Sequence, residues 1–96
     1  MSDIIKAAVA ALSEKLGTDG FDGSIKFEIE GEGAVRIDEN GVSTDDGDAD
    51  CTLTATPDVF QELMDGELNP TSAFMSGKLS VDGDMAMAMK LGALLG

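Results

Sequence analysis

Apolar residues recur along this chain in two rhythms, and the switches between them mark out its elements. Ile4, Ile5, Ala8, Val9, Leu12 and Leu16 share one face at helical spacing, with Lys6, Ser13 and Glu14 opposite, and Gly17 stands where such a helix stops. From Gly23 to Glu30 the rhythm becomes strict alternation, with Ile25, Phe27 and Ile29 against Lys26, Glu28 and Glu30. Gly31-Glu32-Gly33 leads into a second run in which Val35 and Ile37 alternate with Arg36 and Asp38, which predicts a hairpin. Asn40-Gly41 is a tight-turn signal, and Val42, Ser43 and Thr44 after it make a third short strand of a meander.

An acidic stretch from Asp45 to Asp50 separates the meander from a fourth strand, where Cys51, Leu53 and Ala55 alternate with Thr52, Thr54 and Thr56. Thr56-Pro57-Asp58 then reads as an N-cap followed by proline at the first helical position, opening a helix with Phe60, Leu63 and Met64 that stops at Gly66. Asn69-Pro70 repeats that start for a short helix carrying Ala73, Phe74 and Met75 before Gly77. Lys78, Leu79, Ser80 and Val81 predict a fifth strand, and Asp84 caps a last helix from Met85 to Leu95 in which only Lys90 is charged.

Each strand has one apolar and one polar face. That pattern predicts an α+β domain: a five-stranded, mostly antiparallel sheet covered on one face by helices and wet on the other. The helices carry more apolar side chains than one sheet face can contact, and the excess sits in Met64, Phe74, Met75 and the last helix. A helix apolar nearly all round fills a core, docks on a second copy or a partner, or covers something greasy; methionine suits an adaptable surface of the third kind. The excess can therefore line a cavity.

Composition narrows the range of functions. With 96 residues the chain is expected to form one domain, residues 1–96, and with no Trp or Tyr and four Phe its core is aliphatic and Met-rich. The 19 acidic against 6 basic residues leave a net charge of −13, which repels nucleic acid and anionic membrane surfaces. A lone Cys51 in a strand reads as a small buried hydrophobe and fits a reducing compartment. No basic stretch followed by an apolar run opens the chain, and its longest apolar segment falls short of the roughly 18 to 20 residues that span a bilayer; a soluble, cytoplasmic protein is expected.

Candidate chemistry is sparse. Asp46, Asp48 and Asp50 have the first three spacings of a calcium-binding EF-hand loop, but Cys51 and Pro57 stand where its glycine and closing glutamate belong, so the stretch reads as a solvated hairpin loop and not a metal site. Without histidine there is no His-assisted nucleophile, and Ser43, Thr54 and Ser76 have no evident base beside them. No phosphate-binding glycine loop is present, Asp3, Asp58 and Asp84 read as helix caps and dipole partners, and no cofactor is called for.

Ala49-Asp50-Cys51-Thr52-Leu53-Thr54, Phe60 with Leu63-Met64, Asn69-Pro70 with Ser72-Ala73-Phe74, Gly77-Lys78-Leu79 and Ala88-Met89-Lys90-Leu91 succeed one another in an order and spacing that resembles the sterol carrier protein type 2 family. Ile25 to Gly41 fits that family's first hairpin more loosely. The resemblance implies a helix, a three-stranded meander, a crossover to a fourth strand, a helical segment and a fifth strand. It also implies a hydrophobic tunnel between sheet and helices with the last helix over its mouth. It further implies non-catalytic, non-covalent binding and transfer of fatty acids, acyl-CoAs, sterols or other apolar ligands, with a membrane or an enzyme as transient partner. The end at Leu94-Leu95-Gly96 is shorter than the tail with a peroxisomal signal in many eukaryotic members, and the first helix runs to the first strand through a short segment; both imply a smaller or more open tunnel. The expected lipid-binding residues are Phe27, Leu53, Phe60, Leu63, Met64, Phe74, Met75, Leu79, Met85, Met89 and Leu91, in a monomer. The alternative is a non-catalytic interaction or homodimerisation module built on the Met-rich last helix.

Overall fold

The structure, a computed structural model, describes residues 3–17, 20–44 and 47–95. Helix α1 (Asp3–Leu16) precedes the meander β1 (Ile25–Ile29), β2 (Gly33–Asp38) and β3 (Gly41–Ser43); then come β4 (Cys51–Ala55), α2 (Pro57–Asp65), α3 (Pro70–Met75), β5 (Ser80–Gly83) and α4 (Met85–Leu95). The strands form one sheet in the order β3-β2-β1-β4-β5. Neighbours run antiparallel except β1 and β4, which pair parallel with Ile25 opposite Cys51 and Ile29 opposite Ala55. The expected α+β architecture and its mostly antiparallel sheet are realised.

The period-two pattern sets the core. Ile25, Phe27, Ile29, Val35, Ile37, Cys51, Leu53 and Ala55 are all buried on one face, while the residues between them are only half-covered. Helix α1 buries Ile5, Ala8, Leu12 and Leu16 and packs over β2 and β3; α4 packs over β4 and β5 on the same face and also meets α1. Helices α2 and α3 begin as their residues predict: the Thr56 hydroxyl accepts from the Val59 N–H at 3.2 Å, and the Asn69 side chain accepts from the Thr71 and Ser72 N–H groups at 2.8 and 3.3 Å.

Two local expectations are corrected. Strand β5 begins at Ser80 and not at Lys78, because the Lys78 and Leu79 N–H groups bond back to the Ala73 carbonyl and close the end of α3 before the chain can extend. The acidic stretch is not a hairpin loop, since β3 and β4 are separated by two strands in the sheet and the segment is a crossover. Asp45 and Asp46 lie outside the described residues, but the rest of the stretch is tied to the sheet: the Arg36 Nε donates to the Asp48 carbonyl at 3.2 Å and the Asp50 N–H to the Ser24 hydroxyl at 2.9 Å. Among the described residues no group of His, Cys, Asp or Glu is placed to hold a metal ion, and no helix is long and apolar enough to cross a membrane.

Candidate ligand-binding cavity

Phe27, Leu53 and Val81 stand opposite one another in the register of β1, β4 and β5, so alternation turns all three to the covered side. They floor a cavity of about 590 Å³. Its walls are α3, through Pro70, Thr71, Phe74 and Met75, and α4, through Met85, Ala88, Met89, Leu91, Gly92 and Ala93, with Asn69 and Leu79 at the two ends of α3. The size falls within the roughly 300–1,000 Å³ usual for small-molecule sites. Among the described residues that line it, no side chain is charged and only Asn69 and Thr71 are polar.

Where the tunnel was expected, the cavity is open to solvent. Phe74, Met75, Met85 and Met89 are 43%, 80%, 46% and 74% exposed, and of the exposed large apolar side chains among the described residues only Ile4 lies elsewhere. The opposite flank of α4 is held firmly. Met87 packs in the space that Gly23 leaves, and Lys90 Nζ reaches the Asp22 carbonyl and carboxylate, each at 3.2 Å, while Leu91, on the inner wall of the cavity, is fully buried. Gly23 has φ +112°, and a Cβ there would run into the Met87 side chain. The Asp84 carboxylate accepts from the Ala86 N–H at 2.9 Å as the helix cap, and the Asp84 N–H donates to the Asp50 carbonyl at 3.0 Å.

Eight of the eleven expected residues line the cavity: Phe27, Leu53, Phe74, Met75, Leu79, Met85, Met89 and Leu91. Phe60, Leu63 and Met64 do not. Helix α2 packs toward α1 instead, so Leu63 is buried in the general core, Met64 is partly buried against it, and Phe60 sets its ring edge-on to Phe27 at 4.7 Å and 79°. Phe60 thus supports a floor residue from behind. The expectations omitted Asn69, Pro70, Thr71, Val81, Ala88, Gly92 and Ala93. Spacing carried a signal for part of this set: Met85, Ala88, Met89 and Gly92 keep the i, i+3, i+4, i+7 pattern of one helical face.

Cys51 is buried beneath this region of the sheet. Burial raises its thiol pKa, and the carboxylates of Asp84 and Asp82 raise it further, so it stays a protonated, inert packing group, as expected.

Comparison with known proteins agrees with this architecture. The chain is 37% identical over 94 residues to human hydroxysteroid dehydrogenase-like protein 2; the match covers 97% of this chain and 21% of that protein, so the chain spans about a fifth of the relative's length. Human sterol carrier protein 2 is 52% identical over 46 residues, 48% of this chain and 8% of that protein. In fold the chain is similar to sterol carrier protein 2 from Aedes aegypti, solved in complex with the C16 fatty acid palmitate, with a TM-score of 0.79 at 21% identity over 100% of this chain and 97% of that one. The profile of the SCP-2 sterol transfer family matches residues 5–96, which takes in every strand, the cavity floor and all the helices that wall it, and the chain therefore belongs to that family.

Proposed function

We propose that this chain is a non-catalytic lipid-binding and transfer domain that holds one apolar chain or ring system between its sheet and helices α3 and α4. The observation that carries this reading is the gathering, among the described residues, of four of the five exposed large apolar side chains around one uncharged cavity. Such side chains lose free energy when a ligand covers them, and the flexible Met75, Met85 and Met89 can fold over ligands of different shape. Family membership and the palmitate complex of the fold relative point the same way. Release and uptake need a donor and an acceptor, for which a membrane or an enzyme serves.

Titration with straight-chain lipids of increasing length tests the proposal. Each methylene contributes up to roughly 0.8 kcal/mol, about fourfold in affinity, until the cavity is full and the trend flattens. If the folded, monomeric protein binds no long-chain lipid, the carrier reading fails. A dimer that buries Met75 and Met89, found in place of lipid binding, would instead establish the association module.

A further inference from the structure

One row of side chains crosses the covered face of the sheet from its edge to its interior: Val81 on β5, Leu53 on β4, Phe27 on β1 and Val35 on β2 stand opposite one another in register. The first three line the cavity and the fourth does not. Val81 is half-buried on the edge strand, whereas Phe27 and Val35 are fully buried, and beyond Phe27 α1 packs over β2 and buries Ile5, Ala8 and Leu12. The cavity floor therefore runs inward from the open edge for two strand spacings, about 10 Å, and ends at Phe27. A lipid entering by this route leads with its apolar end, and its polar end, of whatever class, stays in water at the mouth between Met75, Met85 and Met89.

Resting on the lipid-carrier reading, we infer that Phe60, which does not itself line the cavity, sets how far an apolar chain can enter: it holds the Phe27 ring in place as the inner end wall and so is a positioning residue for chain length. Phe60 is buried in α2, one helical turn before the buried Leu63, and meets the Phe27 ring edge-on at 4.7 Å and 79°. Phe27 cannot yield toward α2 while that ring occupies the space behind it, because a close-packed interior has no free volume to receive a displaced side chain. Truncating Phe60 empties that space. The surroundings collapse only in part, and an apolar void left in this way is filled by the Phe27 ring or by the end of an apolar ligand. Either event deepens the cavity. One further strand spacing, about 4.8 Å, admits roughly three or four more methylenes of an extended chain.

Equilibrium dialysis of the whole chain against radiolabelled saturated fatty acids, from octanoate to arachidate, tests this. Affinity of the wild type should rise by up to about fourfold per methylene and then break to a plateau. Phe60→Leu should move the break to chains roughly one or two methylenes longer and Phe60→Ala roughly three or four, with circular dichroism confirming the fold of each variant. If Phe60→Ala does not fold, Phe60→Leu decides alone. In a Phe27→Leu background, where the wall itself is shortened, Phe60→Leu should move the break no further, because two residues acting through one ring are not additive. A residue that merely supports the core would lower affinity equally at every length and leave the break where it was, and that result overturns the inference. So does an additive shift in the double variant, or a rise that continues unbroken to arachidate in the wild type; both leave the carrier reading in place. If the folded wild type binds none of these chains, the carrier reading itself is wrong.

Discussion

Cys51 shows how a single residue records its surroundings. It sits opposite Ile25 on one side and Gly83 on the other, buried among apolar neighbours, with Asp82 and Asp84 close enough to oppose a thiolate. Its pKa is thus raised in the folded chain above the ordinary thiol value of about 8.5 that it has when unfolded. A raised folded pKa gives stability that is fully present below the unfolded value and is lost as the pH climbs toward the folded one, because the unfolded thiol ionises first. Cys51→Ala should cost about 1 kcal/mol at neutral pH through lost packing. Above about pH 8.5 that gap should narrow, since only the wild type carries the ionising group. Urea denaturation of both proteins across this range checks the expectation; a gap that widens with pH would mean the thiolate is favoured in the fold.

At the scale of an element, α4 joins two roles that its composition does not separate. Leu91, Met87 and Leu94 attach it to the core, whereas Met85 and Met89 face the cavity mouth and solvent. The two faces should respond differently to substitution. Leu91→Ala removes a fully buried side chain and should cost about 2–5 kcal/mol. Met89→Gln changes a largely exposed one, so stability should stay within about 0.5 kcal/mol while affinity for a long-chain lipid falls severalfold. Thermal melts paired with lipid titration make the comparison. Equal destabilisation by both variants would show the outer face of α4 to be packed, and undiminished lipid affinity in Met89→Gln would remove Met89 from the site.

For the molecule as a whole, the governing quantity is charge. A net −13 on 96 residues repels itself most strongly when compact, so screening should stabilise the fold. Each 1 kcal/mol gained corresponds to about 4–8 °C in Tm for a domain of this size. Raising NaCl from about 10 mM to about 200 mM should therefore lift Tm by several degrees. Calcium and magnesium at matched ionic strength should act alike, because the segment around Asp48 and Asp50 lacks the glycine turn and closing glutamate of a calcium loop. Calorimetry that finds saturable one-to-one calcium binding would contradict this.

Local chemistry was legible in the sequence. Alternation in Ile25–Ile29 and Cys51–Ala55 settles which side chains are covered, since successive residues of a strand must point to opposite faces. Thr56-Pro57, Asn69-Pro70 and Asp84 announce helix starts because their side chains can satisfy the first free N–H groups within a few residues. The motif order carried the family. Alternation cannot specify which strand lies beside which, so the parallel pairing of β1 with β4 comes from the crossover and from α4 closing over β4 and β5. Nor does an all-apolar helix state which way it faces. Only the packing of Leu91 and Met87 inward turned Met85 and Met89 to the cavity, and only the seating of α2 toward α1 took Phe60, Leu63 and Met64 out of its lining, because burial is settled by which surfaces meet and not by the apolarity of one of them.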